Sequence, residues 1–293
     1  MIEGLLPATV DRILSGFLEE DLPEGDLTSR LFFGTPQSNR RVEAALMAEE
    51  SGVLAGTFLV TRIYALLGGA VEVSWSIAEG GSFNAGQTLA HLRGPIHELL
   101  AGERLALNLA KHLSAVATLT RRYVETVARH RPPGLRPLRV TETRKTLPGL
   151  RLFQKHAVRV GGGHSHRSSL SSGILIKDNH LVGTGGVASA LALARQDAPH
   201  PYRIEVEADT PDQAREAVAG GADIVLLDNM SAAMMASLVP ELRGMGREVL
   251  LEASGGLTLE KVRDLAAIDL DVLSVGALTH SPGDISLRLD FLS

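Results

Sequence analysis

The sequence predicts an α/β protein in two parts: an N-terminal α/β (α+β) sandwich domain followed by an atypical, incomplete α/β barrel. Three observations carry this. In the C-terminal half, six short apolar runs alternate with helical patterns, the pattern of parallel strands joined by right-handed crossovers. Polar residues stand at the C-terminal ends of those runs, the edge at which α/β folds hold ligands. The N-terminal third instead has short strands punctuated by glycine pairs, with one helical stretch between them.

In chain order, the first predicted strands are residues 42–48, 53–55, 71–74 and 88–92, set off by Gly68-Gly69 and Gly80-Gly81, with a helix over 57–67. A long helical pattern over 96–130 joins the two parts; Gly102 marks a kink in it, and Arg131-Pro132-Pro133-Gly134 stops it. The barrel strands follow at 138–141, 173–176, 202–206, 224–227, 248–251 and 272–275, with helices at 211–219, 232–242 and 258–267 between several of them. Six units fall short of the eight of a closed barrel. The sandwich domain is placed at residues 1–112 and the barrel at 113–277, with residues 278–293 packing back on the first domain.

Composition narrows the function. The chain has 293 residues, 44% hydrophobic and 22% charged, with 29 basic against 34 acidic residues and a net charge of −5. This is ordinary globular usage and advertises no nucleic-acid surface. The absence of cysteine excludes a disulfide scaffold, cysteine-ligated zinc, iron–sulfur clusters and thiol catalysis. The first ten residues contain Glu3 and no basic cluster ahead of an apolar run, so no secretory signal is expected. Charges break every aliphatic stretch before the ~18 residues of a membrane span. A cytoplasmic protein is expected.

The average charge hides an island. Between Thr141 and His180 stand seven basic residues and two acidic ones, a local +5 in a chain of −5, together with four of the ten histidines. Such an island reads either as a solvated face or as a site for an anionic ligand; the adjacent glycines and apolar strand favour the site. Generic motifs add little. There is no P-loop, no GxGxxG after a strand, no HExxH and no GxSxG. His164-Ser165-His166 could form a metal clip, though the nearest acid is distant in sequence. Gly161-Gly162-Gly163 is either an anion-approaching loop or simply a flexible one.

The stretch TETRKTLPGLRLFQKHAVRVGGGHSHRSSLSSGILIKDNHL (141–181) is far more specific. With EEDLPEGDLTSR, GERLALNLAKHLSAVATLT, IEVEADT, VLLDNM, LEASGGLT and VGALTHS in the same order along nearly the whole chain, it closely resembles the quinolinate phosphoribosyltransferase family. The resemblance implies transfer of the phosphoribosyl group of phosphoribosyl pyrophosphate (PRPP) to quinolinate with loss of CO₂. The products are nicotinate mononucleotide and pyrophosphate, the step belongs to NAD biosynthesis, and the cofactor is Mg²⁺. It implies the sandwich-plus-barrel fold and a homo-oligomer, a dimer or a hexamer of dimers, whose sites form across the dimer interface.

It also implies roles for residues. Arg144, Arg167 and Lys177 surround the substrate carboxylates, which suits the planar fork of arginine, with Lys145 and His166 beside them. Arg104 reaches in from the partner subunit; the alternative is an exposed helical arginine paired with Glu98 or Glu103. Glu207 and Asp228 hold Mg²⁺ or ribose hydroxyls. Glu205 shares a strand face with Glu207, the match favouring Glu207, and Asp228 could instead cap the next helix unless Ser231 does. Ser254, Gly255, Gly256 and Gly276 offer backbone N–H groups to the 5′-phosphate or are ordinary turn residues. His280 lies near the phosphates. Catalysis falls to Lys145, Lys177, Glu207 and Asp228.

Two positions depart from the family pattern: Ser169 and Ser172 stand where many members have Gly and Asp. Neither removes a charged contact. Rival readings are a relative with changed substrate, such as the molybdate-operon paralogue or a nicotinate-using phosphoribosyltransferase, and a non-catalytic binding paralogue. Lys177-Asp178-Asn179-His180 argues against the first. The joint presence of Arg144, Arg167, Lys177, Glu207 and Asp228 argues against the second.

Overall fold

The computed structural model describes residues 6–33 and 40–292. The elements in chain order are α1 (Pro7–Asp21), α2 (Leu27–Phe33), β1 (Arg41–Ala48), β2 (Gly52–Val53), α3 (Thr57–Leu67), β3 (Glu72–Trp75), β4 (Ser82–Phe83), β5 (Thr88–Pro95) and α4 (Ile96–His130). They continue with β6 (Arg139–Thr141), α5 (Arg151–Val160), β7 (Ile174–Ile176), α6 (Asp178–Thr184), α7 (Val187–Asp197), β8 (Ile204–Ala208) and α8 (Pro211–Ala219). Last come β9 (Ile224–Asp228), α9 (Ala232–Gly244), β10 (Leu250–Ser254), α10 (Leu259–Leu265), β11 (Val272–Ser274), α11 (Ala277–His280) and β12 (Leu287–Leu292).

The chain forms two compact units. One runs through Leu119 and takes in Leu152–Gly161 and the chain from Pro282; the other is Thr120–Arg151 with Gly162–Ser281. The first is built on an antiparallel sheet in the order β12-β1-β5-β3, with β12 set directly against β1 from Glu43↔Leu292 to Ala48↔Leu287. Helix α3 buries Leu59, Val60, Ile63 and Tyr64. Its first turn is capped by Glu79, whose carboxylate accepts the N–H groups of Gly56 and Thr57, both at 2.9 Å. His156, from the basic island, binds the same carboxylate at 2.8 Å. The island is therefore divided. Lys155 and Arg159 lie on α5 in the first unit, Lys155 buried.

Helix α4 runs unbroken from Ile96 to His130, with Glu98 in its first turn and Arg129 and His130 in its last, each complementing the helix dipole. Gly102 interrupts nothing. A Cβ there would lie 2.5 Å from Tyr64 Cε1 and 3.0 Å from Leu67 Cδ1, so the glycine lets α4 close on α3, and the expected kink gives way to a packing requirement. Gly102→Ala is expected to cost ~1–3 kcal/mol through overpacking. Chemical denaturation monitored by circular dichroism checks this; an unchanged midpoint would show that Tyr64 can move aside.

The second unit is a six-stranded parallel sheet in the order β6-β11-β10-β9-β8-β7. Its end strands β6 and β7 do not pair with each other, so the barrel is open between them. The segment after α5 re-enters at β6, where His164 N–H donates to Val140 O at 2.8 Å and Thr141 and His164 form a parallel bridge. Alternate residues line the interior: Thr141 and Thr143, Glu205 and Glu207, Leu226 and Asp228, Glu252 and Ser254, Val272 and Ser274. The outward set (Val206, Val225, Leu227, Leu251, Ala253, Leu273) is buried and aliphatic.

Two strands lie further along than the apolar runs suggest. The predicted 202–206 becomes Ile204–Ala208, and 248–251 becomes Leu250–Ser254. In both, the apolar run ends at or before an inward acid that the strand nevertheless contains. Helices α6 and α7 between β7 and β8 are further elements that no strong periodicity announced.

Candidate active site

At the C-terminal ends of the barrel strands lies a cavity of about 340 Å³. Arg144, Lys145, Arg167, Lys177, Glu207, Asp228 and Ser254 line it, with His166 deeper in. Arg144 follows β6, Lys177 ends the run begun by β7, and Glu207, Asp228 and Ser254 sit at the ends of β8, β9 and β10. Period-two alternation turns Lys177, Glu207, Asp228 and Ser254 inward, while Arg144 enters from the loop that follows β6.

The basic side is crowded. Burial and, next to it, the positive charge of Arg144 hold the Arg167 pKa below the usual guanidinium value, despite Glu205 and Glu207. Arg144 Nε is buried and makes no hydrogen bond among the described residues. Arg167 Nη1 donates to Gly173 O at 3.2 Å. Two guanidinium groups facing one cavity repel each other, and one donor is left unsatisfied; both costs are relieved by an anion that fits between them.

The acidic side faces them. Lys177 Nζ donates to the Glu207 carboxylate. Carboxylate oxygens of Glu207, Asp209 and Asp228 all lie within 4.8 Å of one another, a hard-oxygen set suited to Mg²⁺. Asp228 is not the cap of α9; Ser231 is, its hydroxyl accepting Met234 N–H at 3.2 Å. The next residue, Asn229, has a φ of 55°, the one left-handed non-glycine among the described residues. It packs on Gly255, itself at φ 102°, where a Cβ would lie 2.6 Å from Asn229 N. Gly255 thus permits this β9–β10 loop contact as well as a left-handed turn.

Gly276 answers a different need. A Cβ there would lie 3.3 Å from both Lys145 Cδ and His280 Nε2, so its absence lets the lysine stem and the imidazole converge at the end of β11. The Thr279 hydroxyl fixes the same corner by donating to Lys145 O at 2.8 Å. Arg104 belongs to the first unit, exposed on α4. It pairs with neither Glu98 nor Glu103; Glu98 instead accepts Ala70 N–H at 3.2 Å. Ser172 caps its own turn, accepting the N–H groups of Ser168 and Ser169 at 2.9 Å each, so the two serine departures shape a local turn. His164 and His166 do not form a metal clip with each other. His166 groups with Glu205 and Glu252, while the side chain of His164 is exposed.

Beneath the cavity the interior is polar. His166 Nε2 lies 3.5 Å from both Glu205 Oε1 and Glu252 Oε1. Ser274 Oγ donates to Glu252 Oε1 at 2.5 Å and meets Thr141 Oγ1 at 2.8 Å. Glu142 Oε1 accepts His166 N–H at 3.0 Å. On the far side, at the N-terminal ends of the strands, a second cavity of about 450 Å³ shares His166, Arg167 and Glu252 as lining. Asp209, Glu142, Glu252 and Ser274 were not singled out from the sequence. The available signal was an acid within or just past an apolar run otherwise fit for burial, as in LEA and TET.

Burial lowers the His166 pKa, and the carboxylates of Glu205 and Glu252 beside the ring raise it by more. Nδ1 accepts the Arg167 N–H at 2.7 Å, which places the ring proton on Nε2, between the two carboxylates. Burial pushes Glu205 up.

The chain matches the family models described as quinolinate phosphoribosyl transferase, N-terminal domain, over residues 26–114, and C-terminal domain, over residues 116–290. It is 38% identical over 282 residues to the probable nicotinate-nucleotide pyrophosphorylase (carboxylating) of Bacillus subtilis, covering 95% of this chain and 92% of that one. It is 37% identical over 287 residues to the human nicotinate-nucleotide pyrophosphorylase (carboxylating), covering 97% and 93%. The solved structure of the nicotinate-nucleotide pyrophosphorylase from Francisella tularensis superposes with a TM-score of 0.89 at 31% identity, covering 100% of this chain and 99% of that one.

Proposed function

The chain belongs to the quinolinate phosphoribosyltransferase family, and from that premise we infer its reaction. It is a pentosyltransferase that moves the phosphoribosyl group of PRPP onto quinolinate with decarboxylation, giving nicotinate mononucleotide, pyrophosphate and CO₂ for NAD biosynthesis. The observation in this chain that carries the reading is the pairing of Arg144 and Arg167 over one cavity, with an acidic triad opposite. A dicarboxylate satisfies the first, and a Mg²⁺-bound phosphoribosyl group the second.

In the mechanism proposed here, Arg144 and Arg167 bind the quinolinate carboxylates, and Lys177, held by Glu207, directs its ammonium at the boundary between the two substrates. Glu207 and Asp228, with Asp209 beside them, would hold Mg²⁺, which supplies countercharge for pyrophosphate when bound. Glu207 and Asp228 also face the ribose, where positive charge grows at C1 as its bond to the pyrophosphate oxygen breaks. The quinolinate nitrogen attacks C1 from the opposite face, and the quaternised ring stabilises the carbanion left by CO₂, which takes up a proton from solvent. Lys145 and His280, brought together at Gly276, sit where phosphate oxygens leave, and Ser254 and Gly255 close the phosphate loop. Orientation of two bound substrates supplies up to ~7–11 kcal/mol of the acceleration, and preorganised charge the rest.

We also propose a homo-oligomer, at least a dimer, in which Arg104 completes the partner's site. The support is that Arg104 is exposed and makes no hydrogen bond or ion pair among the described residues. No helix among those residues is long and apolar enough to cross a membrane; a cytoplasmic location is part of the proposal. The test is an assay with PRPP, Mg²⁺ and either quinolinate or nicotinate, following mononucleotide and CO₂. Turnover of quinolinate alone is expected. Turnover of nicotinate alone would indicate a switched substrate, and binding of both substrates without turnover would indicate a non-catalytic paralogue.

A further inference from the structure

We propose that Glu252, backed by Ser274 and joined by Glu205, is a positioning residue for the dicarboxylate subsite, holding the His166 ring and through it presenting Arg167 to the cavity. The inference rests on the reaction given above. Its starting point is an anomaly of burial. The interior of a parallel barrel is usually filled by aliphatic side chains, yet Glu205 and Glu252 stand there at 5% and 3% exposure, and Glu142, just past the end of β6, is 0% exposed. Burying three carboxylates is costly unless each has a partner, and all three converge on one residue.

His166 is gripped on every side. Glu142 takes its backbone N–H at 3.0 Å, and Glu205 and Glu252 flank Nε2 at 3.5 Å each. The opposite ring edge is engaged as well: Nδ1 accepts the N–H of Arg167 at 2.7 Å. A turn of the ring would therefore break its carboxylate contacts and release the Arg167 backbone together. Arg167 needs such a hold. Its side chain is long and rich in rotamers, and among the described residues the one hydrogen bond from its guanidinium is Nη1 to Gly173 O at 3.2 Å.

The sign of the charge shows that Glu252 acts indirectly. It lines the cavity, but a carboxylate facing a dicarboxylate substrate would repel it. Its oxygen is committed instead to Ser274 Oγ at 2.5 Å and to the imidazole. Ser274 is tied in turn to Thr141 at 2.8 Å. The chain Thr141–Ser274–Glu252–His166–Glu205 thus crosses from β6 through β11 and β10 to β8, so the strands themselves fix the ring.

The experiment compares native enzyme with Glu252→Gln, Ser274→Ala, Arg167→Ala and the Glu252→Gln/Arg167→Ala double variant, in steady-state kinetics with both substrates varied and in calorimetric titrations with quinolinate. Glu252→Gln is expected to raise KM for quinolinate about 10- to 100-fold while KM for PRPP moves less than about threefold, and Ser274→Ala to shift the same constant by less. In the Arg167→Ala background, Glu252→Gln is expected to add almost nothing, because the group it positions is gone. Equal rises in both KM values, or effects that multiply in the double variant, would overturn the proposal. So would an unchanged quinolinate KM. Should Glu252→Gln fail to fold, the milder Ser274→Ala and its double with Arg167→Ala decide the question by the same criteria. Native enzyme that neither binds nor turns over quinolinate would instead sink the reaction on which the proposal stands.

Discussion

Arg167→Ala is expected to lower kcat/KM for quinolinate by about 10²–10³-fold, equivalent to ~2.7–4 kcal/mol. Arg144 lies close enough to Arg167 to repel it, so the fold gives up stability to hold two guanidinium groups at one cavity. In the proposed mechanism, removing one deletes a bidentate, charge-assisted contact to a substrate carboxylate. It also relieves the repulsion, so the thermal midpoint should hold or rise while activity collapses. Arg167→Lys should recover only a small part of the loss, because an ammonium on a flexible stem cannot reproduce the planar fork. Steady-state kinetics paired with differential scanning calorimetry checks both halves. Activity lost in proportion to stability would mean that Arg167 serves the fold and not the substrate.

Asp228→Asn should lower kcat by about 10²–10³-fold and raise the Mg²⁺ concentration needed for half-maximal rate. The substitution keeps the size of the side chain and removes one of the three carboxylates whose oxygens converge within 4.8 Å. It is a cleaner probe than Glu207, which also holds Lys177; changing Glu207 would free that ammonium and confound two effects. Asp228 has no helix-capping duty to lose, since Ser231 caps α9. A Mg²⁺ titration of initial rate with each protein makes the comparison. The same Mg²⁺ requirement in both would remove Asp228 from the cation site and leave it a contact of the ribose.

The candidate site was legible where chemistry-bearing residues end a strand. Arg144, Lys177, Glu207, Asp228 and Ser254 all follow apolar runs, and parallel strands bring those ends to one edge. The basic island was legible only in part. Lys155, Arg159 and His156 contribute to its charge in the sequence, yet α5 carries them into the first unit, where His156 pairs with Glu79. A window of sequence adds charges that the fold then separates. Gly102 misled for a related reason: inside a helical pattern a glycine signals weakness, whereas here its missing side chain is space filled by Tyr64.

Sequence alone, then, determined the order of the barrel strands, the edge where the candidate site lies and the family, because those follow from hydrophobic periodicity and from ordered motifs along one chain. Only the tertiary structure decided that Glu142, Glu205 and Glu252 meet at His166, that Asp209 joins Glu207 and Asp228, and that Gly255 and Gly276 make room for Asn229, Lys145 and His280. These contacts join residues from different strands across the open barrel. Their distances depend on sheet order, twist and the re-entry of the chain at His164, which no local pattern of residues encodes.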